Sequence, residues 1–122
     1  KYNVHNIRLL TPTTHEERLK KILQHTSGFL YYVSVMGITG TKKPSINEVR
    51  KSLTKIRKVS SLPICVGFGI KNKNQIQNLN KFSDGCVVGS AIVSFIEEFD
   101  KGKYSENQML KNISDFLANL KK

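Results

Sequence analysis

The sequence predicts an α/β domain built on a parallel β-sheet. Segments typical of strands alternate with segments typical of helices four times along 122 residues. Two of the strand segments, residues 62–66 and 86–88, are almost continuously apolar, as strands of parallel sheets are. No linker or low-complexity tract interrupts the alternation, so we expect residues 1–122 to form a single, partial domain.

The first two strands are expected at residues 7–11 and 29–34, where β-forming and aromatic residues are concentrated. A helix is predicted between them, because Thr14 and Glu17 have the spacing of a capping box. Gly28 would end this helix. Its apolar residues at helical spacing are Leu19, Ile22 and Leu23.

The second half of the chain repeats the pattern. Ser45 and Glu48 form another capping box, so a helix is expected to begin there. Strands three and four are expected at 62–68 and 85–89, with a helix from near Asn72 between them. The apolar stripes of the three later helices are Ile46, Val49, Leu53 and Ile56; then Ile76, Leu79 and Phe82; and finally Met109, Leu110, Ile113, Phe116, Leu117 and Leu120.

Both later strands run into small residues that expose the backbone. Strand three ends in Gly67 and Gly69, and strand four ends in Gly89 and Ser90, directly before an apolar helical segment. Exposed N–H groups at two neighbouring strand ends, one of them opening a helix, suit a phosphate group. Eight-stranded β/α barrels bind phosphate after strands seven and eight. The pattern predicts a phosphate site at Gly69, Gly89 and Ser90, and tight turns that need glycine are the alternative.

The length limits how much of such a barrel the chain can form. A complete barrel needs about 250 residues, so four strand–helix units cannot close one. An open four-stranded parallel sheet would leave its outer strands with unpaired edges. From the residues alone, the chain is either half of a barrel or an unusual small open-sheet domain.

Four segments, in order, resemble the tryptophan synthase alpha chain family. Residues 5–14 (HNIRLLTPTT) resemble its fifth strand and the following turn, and residues 28–40 (GFLYYVSVMGITG) resemble its sixth strand and loop. Residues 67–70 (GFGI) resemble the end of the seventh strand, and residues 88–93 (VGSAIV) resemble the eighth. Each motif alone is common among phosphate-binding barrels, whereas the ordered set of four is specific.

The resemblance implies a C-terminal half of a TIM (β/α)8 barrel, with four parallel strands alternating with helices. It implies a cytoplasmic lyase of tryptophan biosynthesis that cleaves indole-3-glycerol phosphate into indole and glyceraldehyde 3-phosphate. No metal and no organic cofactor is implied. The implied partner is the tryptophan synthase beta chain, which receives the indole in an α2β2 complex.

The resemblance also assigns substrate contacts. Gly40 would add a further contact to the phosphate site at the strand ends. Tyr31 and Phe68 match family positions near the indole. Either aromatic side chain could equally be an ordinary core residue.

A lid is implied at residues 34–44, a loop longer than most connections between strand and helix. Gly37 and Gly40 would supply backbone freedom for closure over the substrate. Thr39 matches a threonine that helps to orient the catalytic aspartate of the family. Residues 35–36 are Val-Met where many members carry a basic residue, and a surface loop without function is the alternative.

No catalytic residue is predicted within this chain. Cleavage of a carbon–carbon bond in this substrate needs carboxyl groups at the C-terminal ends of strands to transfer protons. All nine acidic residues lie in predicted helices or before a strand, and the three histidines are no better placed. The family's catalytic glutamate and aspartate belong to its second strand and the loop after it, so we expect this chain alone to be inactive. The nine acidic residues are Glu16, Glu17, Glu48, Asp84, Glu97, Glu98, Asp100, Glu106 and Asp115.

The net charge of +11 favours anionic partners. The basic residues are scattered in short clusters, which indicates solvated faces and argues against a nucleic-acid site. No apolar run reaches the roughly 20 residues of a membrane span. Cys65 and Cys86 lie in apolar strands and are predicted to be small buried thiols, without metal-ligand spacing.

One alternative function stays open. The chain could be a phosphate-ligand-binding half-barrel module of another barrel family. Such a module could be homodimeric, because a second copy could pair with the open edges of the sheet.

Overall fold

The computed structural model describes residues 2–34, 45–70 and 72–121. In these ranges four parallel strands form one sheet in the order β1-β2-β3-β4. The alternation predicted from the sequence is confirmed, with strands shorter than expected. The strands are β1 (Arg8–Leu10), β2 (Leu30–Val33), β3 (Ile64–Gly67) and β4 (Gly85–Val87); the helices are α1 (Glu16–Leu23), α2 (Ile46–Arg57), α3 (Lys73–Leu79), α4 (Ser90–Asp100) and α5 (Glu106–Lys121).

One face of the sheet forms the hydrophobic core with the helices. The register places Leu10, Tyr32, Val66 and Cys86 side by side across the four strands. Three of these four side chains are almost fully buried, and Cys86 packs against them. The predicted stripes of α1, α2 and α3 pack in or against this core, which includes Leu19, Val49, Leu53, Ile56 and Leu79.

The opposite face is also apolar, but it remains accessible within the described residues. Leu9, Tyr31 and Cys65 are aligned there across β1 to β3. Leu9 is 58% exposed and Val87, at the end of β4, is 36% exposed. Strands of parallel sheets are normally covered on both faces. The sheet therefore presents an apolar surface on which further polypeptide could pack; we call it the open face.

Helix capping explains where α2 and α3 begin. The Ser45 hydroxyl accepts from the Glu48 N–H at 3.2 Å, and the Glu48 carboxylate accepts from the Ser45 N–H at 2.7 Å. This capping box was predicted and is confirmed. The Asn72 side chain likewise caps α3 by accepting from the Gln75 N–H at 3.1 Å.

The predicted capping box of α1 is wrong. His15 is the N-cap residue, and its side chain makes no capping hydrogen bond. The Thr14 hydroxyl instead accepts from the Thr11 N–H at 3.0 Å, and the Thr14 N–H donates to the Thr11 carbonyl at 3.0 Å. Threonine can hydrogen-bond locally in a turn as well as at a helix start. Here the Thr14 hydroxyl stabilises the turn after β1 instead of capping α1.

Helices α4 and α5 pack on each other more than on the core. The rings of Phe95 and Phe116 lie 5.6 Å apart, and the Tyr104 hydroxyl donates to the Phe95 carbonyl at 3.1 Å. Within the predicted stripe of α5 only Leu120 is buried, while Leu110 is 55% exposed. The stripe is therefore real but only partly covered by the described residues.

The structure also bears on the two cysteines and on the expectation that no segment spans a membrane. Both thiols, Cys65 and Cys86, are free, and they are half-buried instead of fully buried. Burial raises the pKa of each thiol. No helix within the described ranges is both long and apolar enough to cross a membrane.

Candidate functional site

The carboxyl ends of β3 and β4 lie side by side, as predicted. Gly67 of β3 pairs with Val87 of β4. Two residues beyond each of these positions stands an exposed glycine, Gly69 after β3 and Gly89 after β4. The structure therefore brings these two predicted phosphate-binding residues to neighbouring strand ends.

Neither glycine is explained by packing. A Cβ atom added to Gly69 or Gly89 would meet no atom within 4 Å among the described residues. Gly69 has a φ of 61°, which favours glycine, whereas Gly89 has a φ of −117°, which any residue can adopt. Open space above both backbones is what the approach of a ligand requires.

Ser90 is the first residue of α4, and Gly89 is the N-cap residue. Glycine has no side-chain oxygen, so no side chain of the cap satisfies the first N–H groups of α4. The Ser90 side chain is exposed beside them. An anion at this helix start would be stabilised by the N–H groups and by the helix dipole.

The two predicted indole contacts lie in different environments. Tyr31 is half-buried on the open face, and its hydroxyl lies so close to Gly67 that a Cβ atom there would be 2.8 Å away. Phe68 is 8% exposed and packs within the hydrophobic core. The described residues thus bring Tyr31, but not Phe68, to the open face; both roles stay predictions.

The predicted lid falls largely outside the described residues. Gly37, Thr39 and Gly40 lie in the range 35–44, and their assigned roles stay predictions. Only Ser34, at the start of the predicted lid, is described. Its side chain is 1% exposed, and its hydroxyl donates to the Gly67 carbonyl at 2.7 Å. Sequence analysis did not single out this serine; the available signal was a hydroxyl residue directly after an apolar strand.

The acidic residues lie in helices or directly before a strand, as predicted. No acidic residue stands between the end of any strand and the start of the next helix. Glu16 pairs with Lys20 at 3.1 Å on the surface of α1, and Glu98 pairs with Lys103 at 2.7 Å. Within the described ranges no three His, Cys, Asp or Glu side chains come together to hold a metal ion.

One carboxylate is strongly held, at the other end of the sheet. Asp84 directly precedes β4 and accepts from the Ile64 N–H at 2.7 Å and from the Arg57 guanidinium. The backbone N–H of Ile64, and then Arg57, lower the pKa of this carboxyl. Arg57 also donates to the Leu62 carbonyl at 3.2 Å. The group is therefore an ionised structural anchor, far from the strand ends that carry the glycines.

A groove of about 500 Å³ lies elsewhere, between α1 and α2 on the helix-covered side. Leu10, Leu19 and Tyr32 form part of its apolar lining, and Lys55 and Lys58 line it as well. Burial raises the pKa of the Tyr32 hydroxyl. None of the predicted site residues that the structure describes lines this groove, so the groove and the predicted phosphate site are different places.

Comparison with known proteins gives one consistent result. The family model described as tryptophan synthase alpha chain matches residues 1–122. The chain is 42% identical over 116 residues to the tryptophan synthase alpha chain of Methanocaldococcus jannaschii, covering 95% of this chain and 40% of that protein. It is 38% identical over 120 residues to that of Carboxydothermus hydrogenoformans, covering 98% and 45%.

The fold agrees with solved structures. The crystal structure of tryptophan synthase alpha chain from Legionella pneumophila subsp. pneumophila superposes with a TM-score of 0.76 at 32% identity, covering 95% of this chain and 40% of that chain. The chain thus spans less than half the length of the curated relatives it matches.

Proposed function

The chain belongs to the tryptophan synthase alpha chain family, and from this premise we propose that it is the C-terminal half of a TIM barrel of that family. The chain spans 40% and 45% of two relatives, a share that suits four of eight strand–helix units. The sheet is four-stranded and parallel, with β1 and β4 as its outer strands. The open face is where the interior of a closed barrel would lie.

The proposed ligand site is the pair of strand ends with exposed glycines. Gly69 and Gly89 leave open space above the backbone, and Ser90 opens α4 without a side-chain cap. This juxtaposition is the observation that carries the proposal, because barrels of this class bind phosphate after their last two strands. The phosphate of indole-3-glycerol phosphate would bind there. The indole would lie over the open face, next to Tyr31.

The proposed reaction of the whole protein is an aldol-type cleavage to indole and glyceraldehyde 3-phosphate. A proton must leave a substrate hydroxyl and another must reach the indole ring carbon as the carbon–carbon bond breaks. No acidic residue of this chain follows the end of a strand. We therefore assign both proton transfers to the part of the relatives that this chain does not span, and we expect the isolated chain to be inactive.

The remaining proposals follow from the family. The whole protein would act in the cytoplasm and pass indole to a tryptophan synthase beta chain. This chain's part in the enzyme would be to hold the phosphate and one side of the indole. Its own catalytic contribution would be orientation of the substrate, since positioning alone lowers a reaction barrier.

The test is a titration of the isotope-labelled chain with glyceraldehyde 3-phosphate, followed by NMR. We expect the largest amide shifts at Gly69, Gly89 and Ser90, and no shifts there with neutral glyceraldehyde, which lacks the phosphate. Shifts centred on the basic residues of α2, such as Arg50 and Lys51, would contradict the proposed site. An indole-release assay on the same sample should give no turnover, and turnover would contradict the assignment of catalysis to the absent part.

A homodimeric phosphate-binding module is the second candidate, favoured by the apolar open face and the outer strands β1 and β4. Two copies could cover each other's open faces. Light scattering distinguishes the two: a stable species of twice the monomer mass supports the module, and a monomer contradicts it.

A further inference from the structure

We infer that Ser34 is a positioning residue of the proposed phosphate site, acting through the carbonyl of Gly67. This inference rests on the proposed function, because it assumes that the end of β3 holds the phosphate. Ser34 follows β2 directly, and Gly67 is the last residue of β3. Among the described residues, they form the last backbone hydrogen bond between these two strands before the chain turns toward Gly69.

Two donors of Ser34 converge on a single acceptor. The Ser34 N–H donates to the Gly67 carbonyl at 3.0 Å, and the Ser34 hydroxyl donates to the same oxygen at 2.7 Å. The backbone bond continues the parallel ladder between β2 and β3. The hydroxyl bond is additional to this ladder.

The hydroxyl is also shielded from water. Ser34 is only 1% exposed, one of two buried polar side chains among the described residues. A buried hydroxyl is costly unless it is hydrogen-bonded. Water cannot easily replace this bond if the hydroxyl is removed, so the carbonyl would lose its second donor.

The bonded carbonyl controls the direction in which the chain leaves β3. The Gly67 carbonyl and the Phe68 N–H belong to one planar peptide unit, so fixing the oxygen fixes the plane. Gly67 itself has no Cβ atom to restrict its backbone. Gly69, whose N–H is a proposed phosphate donor, follows in the left-handed region at φ 61°. Because the Phe68 side chain is also held in the core, a fixed plane at residues 67–68 narrows the directions in which the Gly69 N–H can point.

The chain offers a matched control for this inference. Ser83 is the other buried serine, 9% exposed, and its hydroxyl donates to the Leu79 carbonyl at 2.9 Å. It lies just before β4, at the opposite end of the sheet from the glycines. Ser34→Ala and Ser83→Ala therefore remove the same kind of bond from the two ends of the sheet.

The experiment measures two quantities in each variant: the melting temperature and the Kd for glyceraldehyde 3-phosphate, read from the Gly69 amide. Both alanine variants should melt earlier than the wild type. Only Ser34→Ala should weaken binding, by about 3- to 10-fold, the usual worth of one hydrogen bond. Ser34→Thr keeps the hydroxyl and should restore most of the affinity.

The outcomes distinguish a failure of the proposed role of Ser34 from a failure of the proposed phosphate site. If the wild type binds at Gly69, Gly89 and Ser90 but Ser34→Ala binds equally well, the inference is wrong and the proposed function stands. If the wild type gives no shifts at these residues, the proposed function itself fails. Should Ser34→Ala not fold, Ser34→Cys, which keeps the size and weakens the donor, is measured in its place, and unchanged affinity in that variant would also overturn the inference.

Discussion

At the amino end of the sheet a charged side chain joins β4 to β3, whereas at the carboxyl end β3 and β4 present bare backbone. Asp84 holds the Ile64 N–H and the Arg57 guanidinium at the amino end. Gly69 and Gly89 stand at the carboxyl end, where no atom of the described residues would lie within 4 Å of an added Cβ atom. Under the proposed function the two ends would have separate tasks, because in β/α barrels the amino end gives stability and the carboxyl end carries function.

The amino end should therefore be the more sensitive to loss of a side chain. Asp84→Ala removes the acceptor of a backbone N–H and of a guanidinium, and we expect the free energy of unfolding to fall by about 1–2 kcal/mol. The carboxylate is 46% exposed, which keeps the loss below that of a fully buried pair. Urea unfolding measures the change.

Glu16→Gln is the matched control, because Glu16 belongs to an exposed ion pair with Lys20 and its loss should change stability by less than about 0.5 kcal/mol. Phosphate binding should be unchanged in Asp84→Ala. Equal stability of the two variants, or weakened phosphate binding in Asp84→Ala, would erase the contrast between the two ends.

The two glycines of the carboxyl end should differ from each other. Gly69→Ala places a methyl group at a φ of 61° and should cost about 1 kcal/mol. Gly89→Ala keeps an ordinary φ of −117°. Its two small terms oppose each other, a poorer N-cap and a less flexible unfolded chain, so stability should stay within about 0.5 kcal/mol.

Both alanine variants should nevertheless weaken binding of glyceraldehyde 3-phosphate, because a methyl group would stand where the ligand approaches the backbone. Thermal unfolding and the phosphate titration are measured on the same samples. Wild-type affinity in both variants would mean that the glycines serve turns alone.

The general layout of these two ends could be predicted from the sequence. Apolar runs followed by glycine give strands with exposed ends, and the Ser45–Glu48 spacing correctly places the start of α2. Asp84 was correctly expected before β4. These features depend on neighbours in the sequence, which periodicity and capping rules describe directly.

Other features depend on contacts between distant residues, and the sequence does not reveal them. Ser34 and Gly67 are 33 positions apart, and only the register of β2 on β3 brings the hydroxyl to the carbonyl. Thr14 had two possible local hydrogen-bonding roles, and its turn with Thr11 prevailed. The burial of Phe68 is a similar case. Successive residues of a strand face opposite sides of the sheet, so the side that Phe68 faces depends on exactly where the strand ends.

The pH dependence of stability should follow the amino end. The pKa of Asp84 is lowered in the folded chain, by the Ile64 N–H first and Arg57 second. Its stabilising contribution is therefore complete above the unfolded pKa of about 3.9 and is lost as the pH falls through the lower folded value.

Unfolding by urea at pH 6 and below pH 4 should show that wild-type stability falls more steeply than that of Asp84→Asn, which cannot titrate at this position. Parallel curves for the two proteins would mean that the Asp84 contacts contribute no pH-dependent stability.

The smallest expected effect is that of the Asp84 charge, at the amino end, on the Cys65 thiol of the open face. Burial raises the pKa of the Cys65 thiol, and the negative charge of Asp84 raises it further. Asp84→Asn removes that charge, so the thiolate fraction at pH 7 should rise and alkylation by iodoacetamide should quicken, by less than about twofold for a partly solvated pair. The rate is measured in a Cys86→Ser background.

Destabilisation alone would expose any half-buried thiol, and Cys86 provides the control for that effect. The pKa of Cys86 is raised chiefly by burial, and the charge that adds to it is that of Cys65, not Asp84. In a Cys65→Ser background, Asp84→Asn should therefore leave the alkylation of Cys86 unchanged. If both thiols react faster, Asp84→Asn increases their reactivity by loosening the packing. If only Cys65 reacts faster, the substitution acts through the lost charge.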